Sequence, residues 1–314
     1  MENTVLAIEV MGIMKKIWRQ ILKLVWKVVE VLRIKPLVVK NVEKNPLVRM
    51  AFDLATSMLV GDGIVTINGY KIKAPQEIDK GGWIGANMLI KGTYEPQTTQ
   101  VFKQILKEGM VVVDVGAHIG YFTLLASKLV GESGKVFAFE PEPQNFANLC
   151  GNIIFNSFKN IKPFQKAVFS CSGKKRLYLG THSGMHSLFR VKDTTKKTVT
   201  VDMVSLDDVF KKTKVNLVKV DTQGAELDVL IGMQELIKRS DDLKLIIEFQ
   251  PNLEHDGSLV KFWNKLGAYG FKFIYIIDEV GGKVESTDYK YAVDFCKGKR
   301  IEGLNLLCTK QPFE

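Results

Sequence analysis

Cysteine is scarce in this 314-residue chain. The four present, Cys150, Cys171, Cys296 and Cys308, lie far apart and form no Cys-x-x-Cys pair. That excludes a zinc ribbon and offers no disulfide framework, so they read as reduced core residues of a cytoplasmic protein. The four histidines, His118, His182, His186 and His255, have no metal-ligand spacing to one another on a helix, and no metal centre is expected. No internal repeat, low-complexity tract or nucleophilic Ser or Cys motif is evident. No uninterrupted apolar run precedes a small-residue cleavage site, which argues against a secretory signal.

What is present is basic. The formal charge is +10, but residues 1–50 hold ten Lys/Arg against four Glu, and residues 51–314 hold 34 against 30 acids. The larger part is nearly balanced, so no nucleic-acid partner is expected. Lys15, Arg19, Lys23 and Lys27 recur every four residues beside Ile13, Ile17, Ile21, Leu24, Val28 and Val31. This is a basic amphipathic helix over 13–34, too charged to span a bilayer. It suits either packing on protein or an in-plane contact with anionic lipid. The second use would hold the protein peripherally at the inner face of a membrane. A short helix near 47–59 and a hairpin over 64–73, turning at Asn68-Gly69, follow. The Gly81-Gly82-Trp83 loop is able to lie over a pocket. Three parts are expected: the basic helix over 1–45, a helix-plus-hairpin lead-in over 46–95, and a main domain over 96–314.

From about residue 96 the chain alternates helix and strand. Helices are expected at 98–107, 119–130, 143–156, around 224–237 and at 258–269. Strands are expected at 110–115, 135–140, 161–168, 216–221, 243–249, 271–277 and 304–309, with a polar hairpin of 173–180 and 198–204 interrupting. Apolar strands separated by amphipathic helices mean an α/β fold, a mostly parallel sheet covered on both faces. No helical pattern stands between the last two strands, so one of them is expected to run antiparallel.

The most informative stretch is Val111 to Phe122, a strand ending at Asp114 and turning through Gly116 and Gly120 into a helix. A second strand then closes on Glu140. That is the layout of a nucleoside-binding βαβ unit, with Glu140 placed to accept from both ribose hydroxyls. The glycines admit close backbone approach. A dinucleotide loop needs a middle glycine, and position 118 is His118, which argues against a nicotinamide oxidoreductase. Ribose and adenine without phosphate suit this loop, as in S-adenosylmethionine. Asp114, Glu140, Asp221 and Glu248 all fall at or near strand ends.

The ordered set Asp114 to Phe122, Phe139-Glu140-Pro141, Val218 to Glu226, Ile247-Glu248 and Leu304 to Lys310, preceded by Gly92 to Pro96, resembles the FkbM family of S-adenosylmethionine-dependent methyltransferases. The resemblance covers roughly residues 90–310. It implies a class I (Rossmann-like) methyltransferase fold with a mostly parallel seven-stranded sheet, and the N-terminal helical and hairpin extension lies outside it. It also implies O-methylation of a sugar or small-metabolite hydroxyl. Two departures stand out: His118 replaces the usual asparagine, and Thr222-Gln223 replaces a Val/Thr-Glu pair.

On this reading Glu140 takes the cofactor ribose. Asp114, Gly116, His118 and Gly120 surround its methionine part, Glu95 is a further candidate there, and Ala167 lies near the adenine. Asp221 is the preferred base, with Glu248 and His186 as other catalytic candidates. Glu226 is either a helix-dipole partner or catalytic. A non-catalytic membrane-associated module is the alternative. The Asn-Pro-Pro-Tyr motif of amino-methylating enzymes is absent.

Overall fold

The structure, a computed structural model, describes residues 14, 17, 20, 21, 63–73, 88, 92–181, 183–191, 194–251, 258–299, 301 and 303–313. The chain divides into two compact units, Met1–Tyr94 and Glu95–Glu314. In the first, β1 (Ile64–Ile67) and β2 (Tyr70–Lys73) pair antiparallel. Asn68 and Gly69 carry φ of 50° and 77°, the two positive angles a tight hairpin needs. Val65, Ile67, Tyr70 and Ile72 are buried, alternating with exposed Thr66 and Lys71. The helix expected near 47–59 and the Gly81–Trp83 loop lie outside the described residues. So does most of the 13–34 arm, of which residues 14, 17, 20 and 21 are helical and exposed.

The second unit opens with α1 (Pro96–Ile105), then β3 (Val111–Val115), α2 (Tyr121–Val130), β4 (Lys135–Phe139), α3 (Pro143–Phe155) and β5 (Ile161–Phe164). The chain continues through β6 (Ala167–Val168), β7 (Gly173–Gly180), β8 (Thr194–Val204), α4 (Leu206–Val209), β9 (Leu217–Val220), α5 (Glu226–Ile231) and α6 (Gln234–Arg239). It ends with β10 (Lys244–Phe249), α7 (Ser258–Ala268), β11 (Phe273–Asp278), β12 (Lys283–Ser286), α8 (Tyr289–Lys299) and β13 (Leu304–Thr309).

The main sheet has the order β12-β11-β13-β10-β9-β3-β4-β5. Strands β10, β9, β3, β4 and β5 run parallel, and β13 is antiparallel to both β10 and β11. From β3 the chain winds outward to β4 and β5, then returns to lay β9 against the other side of β3. The strand order therefore reverses between β3 and β9, which opens a crevice at their carboxyl ends. All four residues of β9 are buried, as expected of a strand covered on both faces.

Four expectations are corrected. The strand expected over 161–168 is two: β5 edges the main sheet, where Pro163 costs no ladder bond, and β6 joins the small sheet β6-β8-β7. The helix after Gly224 breaks at Gly232, whose missing Cβ leaves room for the Phe169 carbonyl. The sheet has one strand more than seven, because β12 hairpins back on β11. Helix α8 lies before β13, and the sequence hid it because it buries only Ala292 and Cys296. Of the cysteines, Cys296 and Cys308 are core residues, Cys171 is exposed and Cys150 is half-buried.

The start of α1 is capped from far along the chain. Glu279, just after β11, accepts from the Gln97 and Thr98 N–H groups at 3.0 and 2.7 Å and from Thr98 Oγ1 at 2.7 Å. These are donors a helix start otherwise leaves unpaired. Glu279→Ala is expected to lower the unfolding free energy by about 0.5–2 kcal/mol in urea titration. An unchanged midpoint would mean water replaces the cap.

Candidate active site

Asp114, next to last in β3, is almost fully buried, 2 % exposed. Its Oδ2 accepts from Thr123 Oγ1 at 2.5 Å, while Oδ1 is buried with no partner among the described residues. Burial raises its pKa, against the lowering effect of Lys219. The loop that follows is tied to β4, since Gly116 N and Ala117 N both donate to Phe139 O. Gly116, His118 and Gly120 have φ of 80°, 51° and 96°. The left-handed region favours glycine and tolerates histidine and asparagine, which accounts for the exchange at 118. A Cβ on Gly116 would overlap the Asp221 carbonyl, and one on Gly120 would stand 2.7 Å from Leu149 Cδ1. At both glycines the close approach is to protein, rather than to a ligand as the sequence suggested.

Glu140 follows β4, also buried. Its Oε2 accepts from His118 N and its Oε1 from Glu142 N, each at 2.9 Å. Burial nevertheless pushes its pKa up to about 7. His118 Nε2 meets Ser183 Oγ at 3.0 Å, and Asn145 Nδ2 donates to Ser183 O at 2.9 Å. The chain before β8 is thereby held over the loop. Burial, then the neighbouring His186, lowers the His118 pKa to about 4, so its ring is neutral.

A second polar group lies at the ends of β9 and β10. The register Val220↔Ile247 puts Asp221 beside Glu248, and Glu248 pairs with Asn305 of β13. Lys219 points up from within β9, with Nζ 2.9 Å from Asp221 Oδ2 and 4.8 Å from the Phe122 ring centroid. Burial alone would lower its pKa, but Asp221, Glu95 and Asp114 outweigh that and hold it protonated. Burial would raise the Asp221 pKa, and the Lys219 ammonium overrides it and keeps Asp221 ionised. Glu248 has the opposite balance: burial and then the charge of Asp221 push it well above the usual carboxylate range. The pair therefore carries one proton on Glu248 and one charge on Asp221, which is a quarter exposed.

Gln223 joins this pair. Its Nε2 donates to Asp221 Oδ1 at 3.2 Å and to Glu248 Oε2 at 2.9 Å, and its Oε1 accepts from Gln250 at 3.1 Å. The acid the resemblance would place at 223 could not donate to these carboxylates when ionised. Glu226 accepts from Thr222 N, Thr222 Oγ1 and Gly224 N, so its carboxylate ties the loop together. Glu95 turns away from its own helix and accepts from Asn305 Nδ2 at 3.0 Å.

Two candidates do not join. Ala167 packs with Leu177, Leu188 and Met203 in the small sheet's core, 3 % exposed. His186 Nδ1 accepts from Gly180 N at 2.9 Å, which leaves its proton on Nε2 and no open lone pair for a base. Sequence reasoning missed Lys219, Gln223, Gln250 and Asn305. A lone lysine in the otherwise apolar run Leu217–Val220 was the available signal, since buried lysine is rare unless paired.

Residues 114–273, about half of the chain, match the Methyltransferase FkbM domain. The chain belongs to the FkbM methyltransferase family. The α/β fold with its mainly parallel central sheet is that of class I methyltransferases. Methyltransferase 1 of Beauveria bassiana is 27% identical over 147 residues, covering 40% of this chain. Hexuronic acid methyltransferase AglP of Haloferax volcanii is 29% identical over 149 residues, covering 46%. The chain spans 58% of the length of each relative. Among solved structures, an S-adenosylmethionine-dependent O-methyltransferase from Thermotoga maritima aligns with a TM-score of 0.41 and 13% identity, over 81% of this chain and 79% of that one. A SAM-dependent methyltransferase from Aquifex aeolicus gives 0.38 and 17%, over 69% and 89%.

Proposed function

We propose that this FkbM protein transfers the methyl group of S-adenosylmethionine to a hydroxyl of a sugar or small metabolite. The reading is carried by the two buried carboxylates at the ends of β3 and β4. Asp114 keeps an oxygen with no partner among the described residues, suited to an ammonium donor. Glu140 is fixed by two backbone N–H groups and retains lone pairs for two ribose hydroxyls. The loop of Gly116, His118 and Gly120 lies between them. When bound, S-adenosylmethionine supplies a methyl carbon activated on a sulfonium.

Asp221 then takes the proton of the acceptor hydroxyl. As that oxygen gains carbon its O–H becomes strongly acidic, so an ordinary carboxylate is basic enough. Protonated Glu248 lies beside it, and Gln223 fixes both. Alignment of the acceptor is worth ~7–11 kcal/mol, and the base adds a smaller share. The sugar acceptor is supported by the name of the Haloferax volcanii relative. Calorimetric titration with S-adenosylmethionine and S-adenosylhomocysteine tests the reading, and absence of binding to either at millimolar ligand overturns it.

The basic arm adds a membrane contact to this reading. Met14, Ile17 and Ile21 are 53, 53 and 43% exposed, spaced along one helical face. Basic residues recur through the same segment. No described helix is long and apolar enough to cross a membrane. The full chain is expected to sediment with phosphatidylglycerol vesicles at low salt, and a chain lacking residues 1–35 is not. Equal sedimentation of the two sinks the contact.

A further inference from the structure

Beside Glu248 lies a cavity of about 200 Å³, at the carboxyl end of β10 and the start of α5. Its apolar wall includes Phe189, Phe249 and Phe262, and its polar wall includes Asp228, Glu248 and Gln250. None of the lining residues described is Lys or Arg. The Lys175 ammonium near Asp228 sits between the rings of Phe169 and Phe189, 4.1 and 4.2 Å from their centroids. Gln250 Nε2 is spent on Gln223, and Gln250 Oε1 is buried with no partner among the described residues. The polar wall thus offers hydrogen-bond acceptors, with Glu248 protonated and the Asp228 pKa raised by burial against the lowering effects of Ser170 and Lys175.

We propose that this cavity is the acceptor subsite and that it selects an uncharged, hydroxyl-bearing ring of single-sugar size over an anionic one. The inference rests on the methyltransferase reading above and adds the charge class of the acceptor, which departs from the hexuronic acid named for the Haloferax volcanii relative. Ring hydroxyls donate to Gln250 Oε1 and Asp228, while the ring's C–H face packs on the phenyl wall. A carboxylate on the same ring would face Asp228, while the Lys175 ammonium near Asp228 lies outside the lining, between the Phe169 and Phe189 rings. Glu248 lines the cavity and is joined to Asp221, outside the lining, through Gln223.

The test uses the full chain saturated with S-adenosylhomocysteine, with saturation-transfer NMR titrations of methyl glucopyranoside and methyl glucuronide. The neutral glycoside is expected to bind at least tenfold more tightly than the uronide. Leu227→Trp, which fills the cavity, is expected to abolish the signal. Asp228→Lys, which keeps the cavity, is expected to shift the preference at least tenfold towards the uronide. Equal or tighter uronide binding, binding that survives Leu227→Trp, an unmoved preference in Asp228→Lys, or no glycoside binding at all would each overturn the subsite. Those results leave the methyltransferase reading standing, which fails separately if S-adenosylhomocysteine itself does not bind.

Discussion

Asp221→Asn is expected to lower kcat by roughly 10²–10⁴-fold, the contribution of a positioned base, with S-adenosylmethionine affinity changed by only a few fold. The asparagine keeps the shape and the reach to Gln223 but cannot accept a proton. It also strips Lys219 of its closest counter-charge, so the variant's folding must be checked by thermal melting. Lys219→Met separates the two effects. Asp221 is held ionised against burial by the Lys219 ammonium 2.9 Å away. Without that cation its pKa rises, and the acid limb of the kcat/KM profile moves to higher pH. Activity of Lys219→Met is then lost first on the acid side and recovers as pH rises. Asp221→Asn retaining more than a tenth of wild-type kcat, or an acid limb unmoved in Lys219→Met, rules Asp221 out as the base.

Glu140→Ala is expected to weaken S-adenosylmethionine binding by roughly 2–4 kcal/mol, the worth of one or two hydrogen bonds to a charged group. The pH dependence is more specific. Burial places the Glu140 pKa at about 7, so near neutrality the free protein is a mixture of neutral and ionised carboxyl. The ionised form accepts from His118 N, Glu142 N and the ribose together. Binding therefore favours deprotonation: affinity falls up to tenfold for each pH unit below 7 and levels off above it. Glu140→Gln is expected to bind weakly and without this slope. The measurement is a set of calorimetric dissociation constants between pH 5.5 and 8.5. A flat wild-type profile, or a slope persisting in Glu140→Gln, removes Glu140 from the cofactor site.

Local chemistry made much of this legible in the chain. Asn68-Gly69 dictated a hairpin because few other pairs accept two positive φ angles. The apolar strands and the loop between Asp114 and Gly120 stood out through periodicity and spacing. The polar network did not, because Gln223 stood out only as a lost acid and Gln250 looked like an ordinary surface residue until β9 and β10 became neighbours. Helix α8 escaped because its buried face is only two small side chains. His186 looked like a base until its Nδ1 was found accepting from Gly180.

Residue spacing alone settled most of the alternation of strand and helix and the acids near strand ends, since these depend on neighbours within a turn or two of chain. Which strands lie side by side was decided by packing between distant segments. That order sets Lys219 under Asp221, Glu248 beside it, and Glu95 against Asn305. Electrostatic energy depends on separation in space and on burial, so the charge state of each carboxyl emerged only with the folded sheet.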